Sequence, residues 1–242
     1  MSWRVATVTA VHPETSTART LQLVVPGWPG HVPGQHVDIR LTAPDGYTAT
    51  RSYSIASAPN GHTFEVTVDE LPDGEVSPYL VGEVVAGDKL EVRGPIGGWF
   101  VWRPEQPDPV QLVAGGSGLV PLMAMVRTHL TSHSRAPMRL LVSVREPAAL
   151  FYRSELAAVE KAGPVEVTYA WTRTTPEGWP SPAGRVDAAL VARAAWPPDL
   201  GATHYVCGPT GFVEAVAGLL TDAGHDARLV RTERFGPSGG NR

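Results

Sequence analysis

The spacing of apolar residues changes character at one place in this chain, and that change restricts the fold more than any other feature. Arg103-Pro104-Glu105-Gln106-Pro107-Asp108-Pro109 sets three prolines within six residues. Proline offers no N–H to a helix or a ladder, so the stretch predicts a stiff linker and a domain boundary. Before it, short strand-like runs at 5–11, 20–25, 35–41, 50–55, 63–68 and 89–92 are separated by turns such as Pro44-Asp45-Gly46 and Pro59-Asn60-Gly61. Strands this short, interrupted this regularly, predict an antiparallel β-barrel over residues 1–104. After it, strands predicted at 110–113, 138–144, 165–171, 204–206 and 228–231 alternate with helices at 119–126 (running on towards 130), 152–161, 187–194 and 211–220. That alternation predicts an α/β parallel-sheet domain over residues 105–242, with helices on both faces. In the last helix Phe212, Val216, Leu219 and Leu220 recur at helical spacing and are assigned to the core.

Composition closes off several function classes. A net charge of −4 argues against nucleic-acid binding by overall field. No apolar run approaches a membrane span, and Met1-Ser2-Trp3-Arg4 lacks the apolar segment of a signal peptide, so a cytoplasmic protein is expected. The single cysteine, Cys207, excludes an internal disulfide, a four-cysteine zinc site and a cysteine-ligated iron–sulfur cluster within this chain. No His/Asp/Glu set has ligand spacing, so no metal site is expected, and His36 reads as structural. The tail Gly236-Pro237-Ser238-Gly239-Gly240 reads as mobile.

Chemistry concentrates first in Arg51-Ser52-Tyr53-Ser54. Arg51 offers a rigid fork of donors to a phosphate, Tyr53 an amphipathic ring, and Ser54 a hydroxyl that donates or accepts. Strand alternation puts Arg51 and Tyr53 on one face. The same pattern also describes a plain β-strand whose arginine makes a surface ion pair. Downstream, Leu71-Pro72-Asp73-Gly74-Glu75-Val76-Ser77 is a turn leading into a short helix. Free N–H groups and the Ser77 hydroxyl there suit an anion, although an ordinary serine-capped helix reads the same way.

The second half has its own candidates. Gly116-x-Gly118 lies at a strand-to-helix turn, where small residues admit a pyrophosphate, and Pro121 stands where a dinucleotide fingerprint has its third glycine. Thr172-Arg173 ends a strand at the sheet edge where such domains bind ligands; an arginine there can bind the 2'-phosphate that distinguishes NADPH from NADH. Cys207 opens a helix, which would lower its pKa, but no histidine accompanies it, so a buried structural thiol is preferred to a nucleophile.

Taken in order, Arg51-x-Tyr53-Ser54, Gly74-x-Val76-Ser77, Gly115-Gly116-Ser117-Gly118-Leu119-Val120-Pro121 and Cys207-Gly208-Pro209 resemble the ferredoxin-NADP reductase superfamily, from about Val5 to Phe235. The resemblance implies an FAD-binding barrel and an NAD(P)-binding domain that delivers the nicotinamide to the flavin where the two meet. It implies that Arg51, Gly74, Val76 and Ser77 hold the flavin pyrophosphate, that Val68 lies along the cofactor, and that Ser54 bonds near the flavin N5. Gly116 and Gly118 then receive the second pyrophosphate, and Thr172-Arg173 matches the pair of NADPH-using members, followed by Gly184-Arg185-Val186. Cys207-Gly208-Pro209 positions the nicotinamide, Glu233 relays a proton and Phe235 shields the flavin ring. Arg93-Gly94-Pro95-Ile96-Gly97-Gly98-Trp99-Phe100 looks like the family's barrel-closing loop, and its two aromatics either line the flavin or, the preferred expectation, pack against the second domain. Where many relatives carry a basic residue, this chain has Asp69-Glu70.

The implied activity is hydride transfer from NADPH (NADH being the other candidate) to FAD, then single-electron release to a ferredoxin, flavodoxin or oxygenase component. Two alternatives are an NAD(P)H:flavin reductase that releases reduced flavin, and a non-catalytic flavin-binding electron-transfer subunit.

Overall fold

The computed structural model describes residues 2–235, so the 236–240 tail lies outside the described residues. Two compact units emerge: Met1–Arg103 with Met123–Thr131, and Pro104–Leu122 with Ser132–Arg242. The short segment Met123–Thr131 joins the first unit because Arg127 donates to the Ala56 carbonyl at 2.9 Å and to Glu65 at 3.0 Å.

The first unit is built on β1 (Arg4–Pro13), β2 (Ala18–Val24), β3 (His36–Thr42), β4 (Thr48–Ser54), β5 (Thr63–Asp69) and β6 (Lys89–Ile96), with the short helix α1 (Ser77–Gly82). The strands pair antiparallel in the order β4-β3-β6-β1-β2-β5. An antiparallel bridge between Ile55 and Val66 joins the two edges, giving the expected barrel. Alternation supplies the core: Leu21 and Leu23 of β2, Val37 and Ile39 of β3, and Phe64, Val66 and Val68 of β5 are all buried within it.

The second unit contains β7 (Val110–Gly115), α2 (Leu119–Thr131, of which the first residues belong here), β8 (Met138–Val144), α3 (Arg153–Ala162), β9 (Val165–Trp171), α4 (Ala188–Ala194), β10 (Thr203–Pro209), α5 (Thr210–Asp222) and β11 (Val230–Phe235). All five strands are parallel, in the order β11-β10-β7-β8-β9. Every residue of β7 is buried, as a central strand covered on both faces requires. On one face Val216 and Leu220 of α5 pack with Val113, Leu141 and Val206, and Phe212 and Leu219 pack at the margin.

The last strand begins later than the 228–231 expected from sequence. Asp226 accepts from the Arg228 backbone N–H at 2.9 Å and turns Ala227–Leu229 into a 3-10 helix. β11 then runs to Phe235, so Glu233 and Phe235 stand in an ordered sheet edge. The aromatics of the barrel-closing loop also part company: Phe100 is buried, but Trp99 is 63% exposed. Of the two aromatics only Phe100 therefore packs as expected.

Candidate functional site

In the first unit, β4 carries the candidate residues opposite β3, with Ile39 facing Arg51, Val37 facing Tyr53 and His36 facing Ser54. Tyr53 is half-buried against the barrel core, and burial raises its phenol above the ordinary range. The Ser54 hydroxyl is buried and has no hydrogen-bond partner among the described residues. Buried polar atoms are seldom left so, because the lost hydration goes uncompensated.

Arg51 does make the surface ion pair that a plain strand would have. Its guanidinium pairs with Glu75 and also donates to the Thr50 carbonyl at 2.8 Å. Tyr47 donates to the other Glu75 oxygen at 2.5 Å, and both partners hold the Glu75 carboxyl below its usual range, the Tyr47 bond first.

The turn before α1 is fixed from within. The Gly74 N–H donates to the Leu71 carbonyl at 2.8 Å, and the Leu71 N–H to Ser77 Oγ at 3.0 Å. A β-carbon on Gly74 would sit 2.9 Å from both the Leu71 carbonyl and Ser77 Oγ, so only glycine fits. Ser77 is thus no cap; Val76 takes the N-cap position without a side-chain bond, and the Ser77 hydroxyl serves the turn. The side chains of Val68 and Val76 are core, at 1% and 0% exposure, so these two positions offer a ligand their backbone rather than their side chains. The site nevertheless fits a flavin, whose ring heteroatoms would satisfy Ser54 and whose phosphates suit Arg51.

In the second unit the glycines of the strand-to-helix turn divide their work. Gly116 has φ +55° and nothing within 4 Å of a built β-carbon, so it faces open space. At Gly118 the same atom would lie 2.1 Å from the Cys207 carbonyl oxygen and 2.7 Å from the Gly208 nitrogen. Gly118 therefore makes room for a neighbouring backbone, and its absent side chain sets where Cys207 and Gly208 run.

Cys207 is wholly buried; burial first, then the charge of Glu233, push its thiol well above the usual range. That is opposite to what a helix N-terminus would do alone, and it leaves a neutral, unreactive thiol. In register, Glu233 of β11 stands beside Cys207, and Phe235 beside Pro209. Burial pushes the Glu233 carboxyl up to about 7.

A group raised in this way is protonated in the fold where the unfolded chain would ionise, so stability falls as pH climbs from about 4.5 through 7. Glu233→Gln removes that loss. The melting temperature of the variant minus that of the parent should grow between pH 5 and pH 8, and a difference independent of pH would refute the raised carboxyl.

At the carboxyl edge of the sheet, backbone bonds gather cations. Val144 and Trp171 are in register at the ends of β8 and β9, and the N–H groups of Arg173 and Thr174 donate to the Arg145 carbonyl at 2.9 and 3.1 Å. The Gly184 N–H donates to the Trp171 carbonyl at 2.8 Å and so returns Arg185 to this end. No ion pair of Arg145, Arg173 or Arg185 occurs among the described residues. Thr172 and Arg173 are the candidates expected here from sequence; Arg145 was not among them, although it follows its buried strand as Arg173 follows its own.

Beside Arg185 opens a cleft of about 610 Å³ lined by Tyr169, Trp171 and Trp179. Tyr169 and Trp171 are stacked at 5.3 Å, and Trp179 meets both edge-on at 6.3 and 5.9 Å. Such walls suit a planar ring. Among the described residues no cluster of three or more potential metal ligands occurs, and no helix is long and apolar enough to cross a membrane.

An antiparallel six-stranded barrel holding an unpartnered Ser54 hydroxyl, together with a five-stranded parallel sheet, is the architecture of a protein with two nucleotide-binding domains. Residues 7–101 match the oxidoreductase FAD-binding domain family, and residues 112–218 match the oxidoreductase NAD-binding domain family. The chain belongs to the ferredoxin-NADP reductase superfamily. A glycine betaine monooxygenase reductase subunit from Chromohalobacter salexigens is 31% identical over 209 residues, covering 84% of this chain and 56% of that protein. The chain thus spans little more than half the length of such relatives. A cytochrome P450 reductase from Amycolatopsis is similar in structure, with a TM-score of 0.83 and 26% identity over 98% of this chain and 71% of that one. The FAD/NAD-binding domain of nitric oxide dioxygenase from Vibrio cholerae shares the fold, with a TM-score of 0.86 at 24% identity, covering 97% and 99% of the two chains.

Proposed function

We propose that this chain moves electrons from NADPH, through bound FAD, to a separate redox protein. The observation that carries the reading is the buried Ser54 hydroxyl with no internal partner, on the same strand as Arg51 and Tyr53. Arg51 and the 74–77 segment hold the flavin phosphates, Tyr53 lies against the cofactor, and Ser54 bonds near the ring position that receives the hydride. Thr172, Arg173, Arg145 and Arg185 hold the 2'-phosphate of NADPH, with Gly116 at its pyrophosphate. Cys207, Gly208 and Pro209 place the nicotinamide as a matter of shape, since the thiol is neutral. Glu233, uncharged up to about pH 7, is suited to hold and pass a proton, and Phe235 to cover the ring edge. Bound flavin would supply the conversion of a two-electron donor into single-electron steps.

The acceptor is a ferredoxin, flavodoxin or oxygenase component. The reductase subunit and P450 reductase to which the chain is similar support this, because both are named for reducing a partner.

Anaerobic addition of NADPH, and separately NADH, to the flavin-loaded protein tests the reading. Flavin absorbance should bleach rapidly with NADPH and slowly with NADH. In the same stopped-flow experiment Ser54→Ala should slow bleaching about 10-fold or more, the size expected for one lost orienting hydrogen bond, with flavin content unchanged. Bleaching by neither nucleotide would end the reductase reading, and an unchanged rate in the variant would remove Ser54 from it.

A further inference from the structure

Glu75 occupies an unexpected place. It lies inside the very segment, Gly74 to Ser77, read as a phosphate cradle, and its carboxylate pairs with the arginine read as the phosphate ligand. The surrounding backbone has little freedom to carry it away. Gly74 bonds Leu71, Leu71 bonds Ser77 Oγ, and Val76 is buried in the core, so only the Glu75 side chain can swing. Tyr47 restrains that swing from the far side by donating to the second carboxylate oxygen.

We propose that Glu75 is an internal competitor for the flavin phosphates: it takes Arg51 when the phosphates are absent and weakens their binding when they arrive. The inference rests on the reading of Arg51 as a flavin-phosphate ligand. Its physical basis is simple. The Arg51 and Glu75 side chains are 42% and 46% exposed, and an ion pair that open is weak enough for a multiply charged phosphate to displace it. Displacement does not remove the carboxylate, because the fixed turn keeps it nearby, where it repels the same phosphate group. Both effects act only on ligands that carry phosphate. The consequence is a flavin held loosely enough to exchange.

Flavin affinity of the full chain, stripped of flavin and titrated calorimetrically, separates the possibilities. Glu75→Gln keeps the size and removes the charge; it should tighten FAD and FMN binding about 10-fold, while riboflavin, which has no phosphate, binds as before. Glu75→Asp retains the charge and should remain weak. Tyr47→Phe frees the carboxylate without neutralising it and should tighten FAD by no more than about threefold. The gain in Glu75→Gln should shrink as salt is raised. Equal FAD affinity in parent and Glu75→Gln would overturn the competitor role while leaving flavin binding intact, as would a riboflavin affinity that rises in step with FAD. Failure of every variant and the parent to bind any flavin would overturn the reading of Arg51 itself, and the competitor with it.

Discussion

Gly118→Ala should cost this protein both stability and nucleotide-dependent activity. An alanine β-carbon would lie 2.1 Å from the Cys207 carbonyl oxygen, 2.4 Å from its carbon and 2.7 Å from the Gly208 nitrogen. All three are backbone atoms of β10, whose neighbours are β7 and β11, so no flexible side chain can yield. Overpacking against backbone places the loss near the upper end of its usual range, about 3 kcal/mol. In a protein of this size that is a fall of roughly 6–12 °C in melting temperature. The displaced atoms belong to Cys207 and Gly208, so flavin reduction by NADPH should fall further than the folded fraction does. Gly116→Ala is the internal comparison. Gly116 adopts a left-handed conformation but has open space around it, so alanine there should cost only about 1–2 kcal/mol. Equal melting temperatures for the two variants would show that β10 does not depend on the missing side chain at Gly118.

Arg173→Ala should change which nucleotide the protein uses. Backbone bonds bring the segments that carry Arg145, Arg173 and Arg185 together at the ends of β8 and β9, and none of the three makes an ion pair among the described residues. A charge-assisted hydrogen bond to phosphate contributes about 1.5–3 kcal/mol, which corresponds to a rise in KM for NADPH of roughly 10- to 100-fold. NADH has no 2'-phosphate, and its KM should move less than about threefold. Arg145→Ala should follow the same pattern with a smaller rise, since the neighbouring guanidinium groups remain. A loss shared equally by NADPH and NADH would mean that these arginines support the fold or the common pyrophosphate.

The two architectures were readable because each writes its own period into the chain. Leu21 and Leu23 alternate with polar neighbours along β2, whereas Phe212, Val216 and Leu219 recur at helical spacing along α5. Local chemistry was readable too. A serine and an arginine on one strand, glycines at a strand-to-helix turn, and Thr172-Arg173 at a sheet edge all lie in contiguous stretches. What could not be read were the meetings of residues far apart. Nothing in Arg51-Ser52-Tyr53-Ser54 indicates that Glu75, 24 positions on, will take the arginine. Nor does Gly116-x-Gly118 reveal that the second glycine makes room for Cys207 and Gly208. The start of β11 escaped because a single bond from the Arg228 N–H to Asp226 outweighs the β propensity of the segment.

The sequence by itself determined the division into a barrel and a parallel sheet and the residue types available for two nucleotides, because periodicity and turn chemistry act within a few residues. Only the tertiary structure decided that Val68 and Val76 turn into the core, that Arg145 bonds the Arg173 backbone, and that Glu233 stands beside Cys207 with its carboxyl raised to about 7. Strand register and burial set those outcomes, and both depend on how distant segments are brought together rather than on any one of them.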